Sequence, residues 1–259
     1  IYDGGHSGYY ELRNDYRVDG SGLDLKFGAI FRPVLESPFR FGVAIHTPIW
    51  YNLTETYASE MYSNLVYEDG STFEANAYTP DYTGGKTLRD YQLRTPWRFN
   101  LNLGTVFGGI MAVGAEYEYA DYSSSKLRYA DGYEMANQTS YIAEDLKGVH
   151  TIRLGMETCI TPAFSLRAGY NYSTSAYKET AYKALDYNDM RADTEYRNSF
   201  GHHTATVGLG YRWNYFYADL AYKYDTNKSD FYAFSAEDLK ATKVTDDRHQ
   251  LLLTLGVKF

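Results

Sequence analysis

The sequence predicts an all-β fold, a transmembrane antiparallel β-barrel. Three observations carry that expectation: repeated period-two apolar alternation, an aromatic content dominated by tyrosine, and connections that sort into short and long. The last fourteen residues show the alternation most clearly. Phe259, Val257, Leu255, Leu253 and Leu251 fall on one face of a strand, and Lys258, Gly256, Thr254, Leu252, Gln250 and Arg248 on the other. The 259 residues include 29 Tyr, 13 Phe and 3 Trp. Tyr and Trp favour a membrane–water interface, with the ring in lipid and the polar tip among headgroups. Soluble β-sandwiches share that composition, so alternation and connection lengths decide.

Taken in order, alternation is read at 8–18, 21–32, 38–50, 88–106, 109–122, 147–160, 163–177, 201–213, 215–227 and 246–259. The first two meet at Val18-Asp-Gly-Ser21, a turn signal. In the third, Phe39, Phe41, Val43, Ile45 and Ile49 oppose Arg40, Gly42, Ala44 and His46. The fourth sets Trp97, Phe99, Leu101 and Leu103 against Arg98, Asn100, Asn102 and Gly104. The fifth sets Met111, Val113, Ala115, Tyr117 and Tyr119 against Ala112, Gly114, Glu116 and Glu118. Ile152, Leu154 and Met156 oppose Arg153, Gly155 and Glu157 in the sixth. Phe164, Leu166, Ala168, Tyr170 and Tyr172 oppose Arg167, Gly169 and Asn171 in the seventh. The eighth carries Val207, Leu209, Tyr211 and Trp213 against Thr206, Gly208, Gly210 and Arg212.

Each stripe is about five residues, the reach of a tilted strand of roughly 9–11 residues across a bilayer. The opposite faces mix Gly with charge, which suits a lumen better than a water-facing sheet, where Gly wastes strand propensity. Phe99, Leu101, Leu154, Leu166, Leu209 and Leu255 are therefore expected to face lipid. The connections near Asn214, Thr161-Pro-Ala163, Phe107-Gly-Gly109 and Pro33–Pro38 are tight. Those at about 51–87, 123–146, 178–200 and 228–245 are long, as extracellular loops of a barrel are. Within them, Asn64–Glu74 alternates around Asp69-Gly70, a favoured two-residue hairpin turn, and Asn137–Gly148 reads as a short helix.

Net charge is −8, which gives no basic footprint for nucleic acid. No apolar run approaches the roughly 18 residues of a membrane helix. The single Cys159 cannot form an internal disulfide, and no basic neighbour activates it. The opening Ile1-Tyr-Asp-Gly-Gly reads as a mature or truncated start. At the other end, Leu255, Val257 and Phe259 resemble the signal read by the bacterial outer-membrane insertion machinery.

A family resemblance runs through these strands. It is carried by Gly28-Ala-Ile-Phe-Arg-Pro33, Phe41-Gly-Val-Ala-Ile-His-Thr-Pro48, Thr95-Pro-Trp-Arg-Phe-Asn100 and Val113–Tyr122. Ile152-Arg-Leu-Gly-Met-Glu157, Thr161–Tyr170 and Leu251–Phe259 complete it. The pattern resembles the FadL/TodX-type outer-membrane transporters of hydrophobic compounds, in the branch found in Bacteroidetes-type bacteria. The resemblance implies a fourteen-stranded barrel with an N-terminal plug. About ten strands and no plug are read here, so the chain is expected to be the C-terminal portion of such a barrel. It further implies a Gram-negative outer membrane, contact with lipid and lipopolysaccharide, and a long-chain fatty acid or aromatic hydrocarbon as ligand. Some members, similar to PorV, instead hold partners in protein secretion or in a larger membrane complex.

The inward charges Arg40, His46, Arg98, Glu116, Glu118, Arg153, Glu157, Arg167, Arg212 and Arg248 form the candidate lumen site. A guanidinium fork matches a ligand carboxylate, and equally an Arg–Glu ladder would fill and stiffen the lumen. The candidate extracellular apolar foothold is Tyr57, Met61, Tyr62, Leu65, Tyr78, Tyr82, Tyr141 and Ile142. His6, His46, His150, His202, His203 and His249 show no ligand spacing, and His202 and His203 point to opposite faces of a strand. No metal, haem or other cofactor is expected. The acidic stretch Asp186–Glu195 suits either a solvated loop or divalent ions bridging lipopolysaccharide. No His–Asp pairing converges at the strand ends, so no enzyme is expected.

Overall fold

A computed structural model describes residues 2–3, 6–181, 196–233 and 239–257. The strands are β1 (Tyr2–Asp3), β2 (His6–Leu23), β3 (Lys26–Phe31), β4 (Arg40–His46) and β5 (Trp50–Val66). There follow β6 (Thr72–Tyr78), helix α1 (Thr79–Thr83), β7 (Thr87–Arg94), β8 (Arg98–Phe107) and β9 (Met111–Asp121). The chain continues through β10 (Lys126–Tyr129), helix α2 (Ala136–Asp145), β11 (Gly148–Cys159) and β12 (Phe164–Thr174). It ends with β13 (Tyr196–Trp213), β14 (Phe216–Tyr232) and β15 (Thr242–Val257).

Nine of these strands form one antiparallel wall in the order β15-β14-β13-β12-β11-β9-β8-β4-β3. Its two edges, β3 and β15, do not pair with each other. Neighbours in sequence are mostly neighbours in space, joined by tight turns at one end. Phe107–Ile110 turns through Gly108 and Gly109, both at positive φ, which only glycine adopts without strain. Asn214, also at positive φ, closes the turn from β13 to β14.

The faces of this wall have opposite chemistry. Phe99, Leu101, Leu154, Leu166, Leu209 and Leu255 share one face through direct cross-strand partners. Leu101 is 55% exposed and Leu255 73%. Among the described residues, the buried hydrophobic side chains are only Ala58, Ala120, Met135, Ala181 and Tyr232. A water-soluble sheet protein would hide its leucines against a second layer. Here the apolar layer is the surface, which fits a strand wall whose solvent is lipid.

A second sheet, β1-β2-β5-β7-β10 with β6 also on β5, stands at the end opposite the tight turns. Its strands continue those of the wall: β2 leads into β3, β4 into β5, β7 into β8, and β9 into β10. The breaks fall at Asp24-Leu25, Thr47-Pro-Ile49 and Thr95-Pro-Trp97. Pro brings no N–H to a ladder and interrupts a sheet where it sits. At each Pro the threonine before it bridges to the next strand. Leu25 N–H donates to Thr47 Oγ1 at 2.9 Å, and Ile49 N–H donates to Thr95 Oγ1 at 2.8 Å.

Several expectations are corrected here. Val18-Asp-Gly-Ser21 is not a turn, because β2 runs through it with Val18 opposite Glu55 and Ser21 opposite Asn52. The wall thus has nine strands where ten segments were read. Residues 88–106 are two strands, parted at Pro96. Within 51–87 the expected hairpin around Asp69-Gly70 is present as β5 and β6, and past α1 the chain adds β7, which also pairs with β5. Strands also enter the expected loops 178–200 and 228–245, as β13, β14 and β15. The expected helix 137–148 is α2, and Gly148 begins β11 instead of capping it.

The hairpin between β5 and β6 has a three-residue loop, Glu68-Asp69-Gly70, with Gly70 at φ 79°. Ser71 donates its N–H and hydroxyl to Asp69 Oδ1, at 2.8 and 2.5 Å. Those bonds favour the carboxylate and hold Asp69 below the usual carboxylate range. The turn is therefore strongest above the ordinary carboxyl pKa and loosens as pH falls through the depressed value. Amide protection at Tyr67–Ser71, taken relative to intrinsic exchange at each pH, should fall in acid in the native chain, and already be low at neutral pH in Asp69→Ala. Acid-insensitive protection in the native chain would refute the assignment.

Candidate functional site

The inner face of the wall gathers its charges into clusters. Arg153 pairs with Glu116 and lies 3.3 Å from Glu118, while Asn100 Nδ2 donates to both carboxylates at 3.1 and 3.0 Å. Arg167 bridges Glu157, at 3.2 Å, and Asp219. A third cluster centres on Asp225, with Lys223 at 2.9 Å, His202 at 3.4 Å and Thr204 Oγ1 donating at 2.6 Å. The register explains this: Arg153 lies directly opposite Glu116, and Glu157 opposite Arg167.

Of the expected lumen residues, the structure brings Glu116 to Arg153 and Glu157 to Arg167. Arg40, His46, Arg98, Arg212 and Arg248 lie on the same face without an ion-pair partner among the described residues. Two of the guanidinium groups are thus engaged by carboxylates of the protein itself, the ladder arrangement. The five remaining basic groups keep their valence for another anion.

Between the clusters the wall is bare. Gly104 faces Gly114, Gly114 faces Gly155, and Gly155 faces Gly169, making a cross-strand row over four strands. A Cβ at Gly155 would meet nothing within 4 Å, and one at Gly104 or Gly114 only a neighbouring carbonyl at 3.9 or 3.7 Å. Packing does not demand glycine at these three places. The row is a trough in the lumen wall.

The second sheet divides the expected foothold. Tyr57, Met61 and Leu65 share one face, opposite Tyr16, Leu12 and Phe73. Leu12, Tyr16, Met61 and Phe73 are each about half exposed, so the face is an open apolar surface. Tyr62 and Tyr78 lie on the other face, where Tyr62 packs on Tyr9 with ring centres 5.6 Å apart. Tyr82 projects from α1 at 77% exposure, and Tyr141 and Ile142 belong to α2.

A cleft of about 310 Å³ opens at the foot of this sheet, on the face of Tyr62 and not that of Met61, and sequence reading missed it. Trp50, Arg94 and Lys126 stand in one cross-strand row, with Asn52, Gln92 and Arg128 in the next. Lys126 pairs with Glu134 at 3.2 Å. Arg94 and Arg128 have no ion-pair partner among the described residues. A planar aromatic beside two guanidinium groups can bed an apolar body and hold an acidic head. Cys159 is exposed beside a tight turn. No cluster of three metal-ligating side chains occurs among the described residues. Phe259 and Asp186–Glu195 lie outside the described residues.

An antiparallel wall with an apolar outer and a charged inner face defines the class: a transmembrane β-barrel protein. No protein-family model and no curated protein matches the sequence. Among solved structures, the chain is similar to a FadL homologue of Pseudomonas aeruginosa. That match has a TM-score of 0.45 and 13% identity, and covers 92% of this chain and 67% of the other.

Proposed function

We propose that the chain serves the uptake of hydrophobic small molecules across a Gram-negative outer membrane, of long-chain fatty acid or aromatic hydrocarbon type. One observation carries the reading: an aromatic and guanidinium cleft opens at the foot of the second sheet, on the face that carries Tyr9 and Tyr62, while the sheet's other face is exposed and apolar. Lipopolysaccharide keeps apolar solutes from dissolving in the outer leaflet, so they need a protein route. The face around Tyr9 and Tyr62 collects the apolar body. Trp50, Arg94 and Arg128 then receive an acidic head, and the trough at Gly104–Gly169 leaves space beyond. This is a carrier's arrangement, with apolar surface and anion donors.

Open strand edges do not persist in lipid, because each unpaired backbone group there costs several kcal/mol. We therefore infer that β3 and β15 are covered by further strands, as in a fourteen-stranded barrel. The exposed apolar face also suits a second reading, a barrel that holds a protein partner in secretion or a membrane complex.

Uptake of a labelled long-chain fatty acid and a labelled aromatic hydrocarbon, by cells with and without the full-length protein, tests the proposal. Both should enter faster with the protein. Arg94→Gln with Arg128→Gln should slow the acid severalfold and leave the hydrocarbon nearly unchanged. Equal uptake with and without the protein, together with the conductance of an open pore, would reject transport. A large copurifying partner with no change in uptake would favour the second reading.

A further inference from the structure

The lipid-facing side of the wall carries one arrangement three times, independent of what the lumen conveys. Tyr117 and Tyr119 of β9 face His150 of β11, Tyr170 and Tyr172 of β12 face His203 of β13, and Tyr222 and Tyr224 of β14 face His249 of β15. In each, the first tyrosine's hydroxyl bonds the imidazole Nδ1, at 2.7, 2.8 and 2.6 Å. The second tyrosine packs its ring on the imidazole, with centres 5.1, 4.6 and 5.0 Å apart. With the phenol donating to Nδ1, the ring proton sits on Nε2. All three imidazoles are exposed, so each offers an outward N–H donor fixed by two rings.

The register places the three clusters at one depth. Tyr172 lies opposite Ile152, two positions nearer the tight turns than His150, and Tyr224 lies opposite Ala205, two positions nearer than His203. Each cluster thus shifts by two residues over two strands. With a rise of about 3.3 Å and a strand spacing of about 4.8 Å, that slope is a tilt of about 35°. Strands of membrane barrels tilt by about 35–45°, so the shift cancels the tilt and the clusters are level. The tight turns shift in the same direction: Met111 faces Thr158, one position before Cys159, and Ser165 faces Gly210, three before Trp213. From His150 to Cys159 or His203 to Trp213 is nine or ten residues, which spans about 25 Å along the normal, one apolar band. The row stands at the far membrane interface.

We propose that these three Tyr-X-Tyr/His clusters bind the phosphate groups of phosphorylated glycolipid headgroups in the outer leaflet. Phosphate oxygens are acceptors, and each cluster presents a donor at headgroup depth, the imidazole N–H, joined in the first two by the hydroxyl of the second tyrosine, Tyr119 or Tyr172. Thr174 stands above His150 and Thr226 beside His203, and Asp121, two positions beyond Tyr119, turns its carboxylate to Ser123. At the third, Tyr224 donates its hydroxyl to Asp247 at 2.9 Å, so a carboxylate stands beside His249. The first two clusters, whose tyrosines bond no carboxylate among the described residues, are therefore the stronger sites.

The test uses the full-length protein in detergent, with bound lipid counted by native mass spectrometry. The probes are diphosphorylated lipid A, the same lipid dephosphorylated, and inorganic phosphate. Lipid A should bind about tenfold more tightly than its dephosphorylated form, the worth of one or two charge-assisted hydrogen bonds. His150→Gln, His203→Gln and His249→Gln together should abolish that difference, with folding checked by heat-dependent gel migration. Should the triple variant fail to fold, His203→Gln alone should lower the number of lipids retained. Tyr211→Phe, on the same face near the turns, should change nothing. Equal binding of the two lipids, an unaffected triple variant, or displacement of lipid A by inorganic phosphate at equal concentration would overturn the proposal.

Discussion

Leu253→Arg should destabilise the folded protein in a bilayer by about 2–4 kcal/mol, the cost of a cation at mid-depth on a lipid-facing strand. Leu253 lies midway between His249, at the far interface, and Val257, at the turn end, and it shares a face with Leu220 and Leu209. Leu252, one residue earlier, points to the other face, opposite Ala221. Leu252→Arg should change stability by no more than an ordinary surface substitution, within about 0.5 kcal/mol. Both leucines are more than half exposed, so exposure alone would forecast the same result for each. Urea unfolding in phosphatidylcholine vesicles separates the cases. Equal costs at the two positions would mean that the apolar face does not meet lipid.

Gly114→Leu combined with Gly155→Leu should leave the wall folded and cut uptake of hydrophobic ligand severalfold. Neither position is held to glycine by a neighbouring side chain. A larger residue even improves strand propensity, since glycine weakens a strand interior. The new side chains would fill the trough. Gly20→Ala provides the opposite case: its Cβ would stand 2.3 Å from the Asn52 carbonyl oxygen, forcing β2 off β5. That variant should lose stability with the trough untouched. Full uptake by a folded Gly114→Leu, Gly155→Leu protein would remove the trough from the ligand path.

The wall was legible because period two is local: five or six residues suffice to see that Leu101 and Asn102 point apart. Gly20 misled for a physical reason. Asp19-Gly20 has turn chemistry, yet the glycine is there to let two strands approach, and that need lies in Asn52, far along the chain. Pro96 carried a readable signal for the break inside 88–106, and strong alternation on both sides masked it. The ion clusters were half legible, since the types and the face were clear while the pairing of Arg153 with Glu116 depends on register across a long connection. The cleft was hidden for the same reason. Trp50, Arg94 and Lys126 come from three separate segments and meet only once β5, β7 and β10 are aligned.

The two Thr-Pro breaks give the molecule a mechanical seam. On either side of it, strands are joined by backbone pairs that resist relative motion as a ladder does. At the seam, Thr47 N–H still donates to Leu25 carbonyl at 2.9 Å and Thr95 N–H to Ile49 carbonyl at 3.1 Å. The reciprocal bond in each case ends on a threonine hydroxyl, which turns about a single torsion and follows its donor through a bend. Compliance is thereby concentrated in one line across three strands. Load on the upper sheet, from a docking solute or a neighbouring molecule, is taken up as flexure along that line, while the lipid-sealed wall keeps its register.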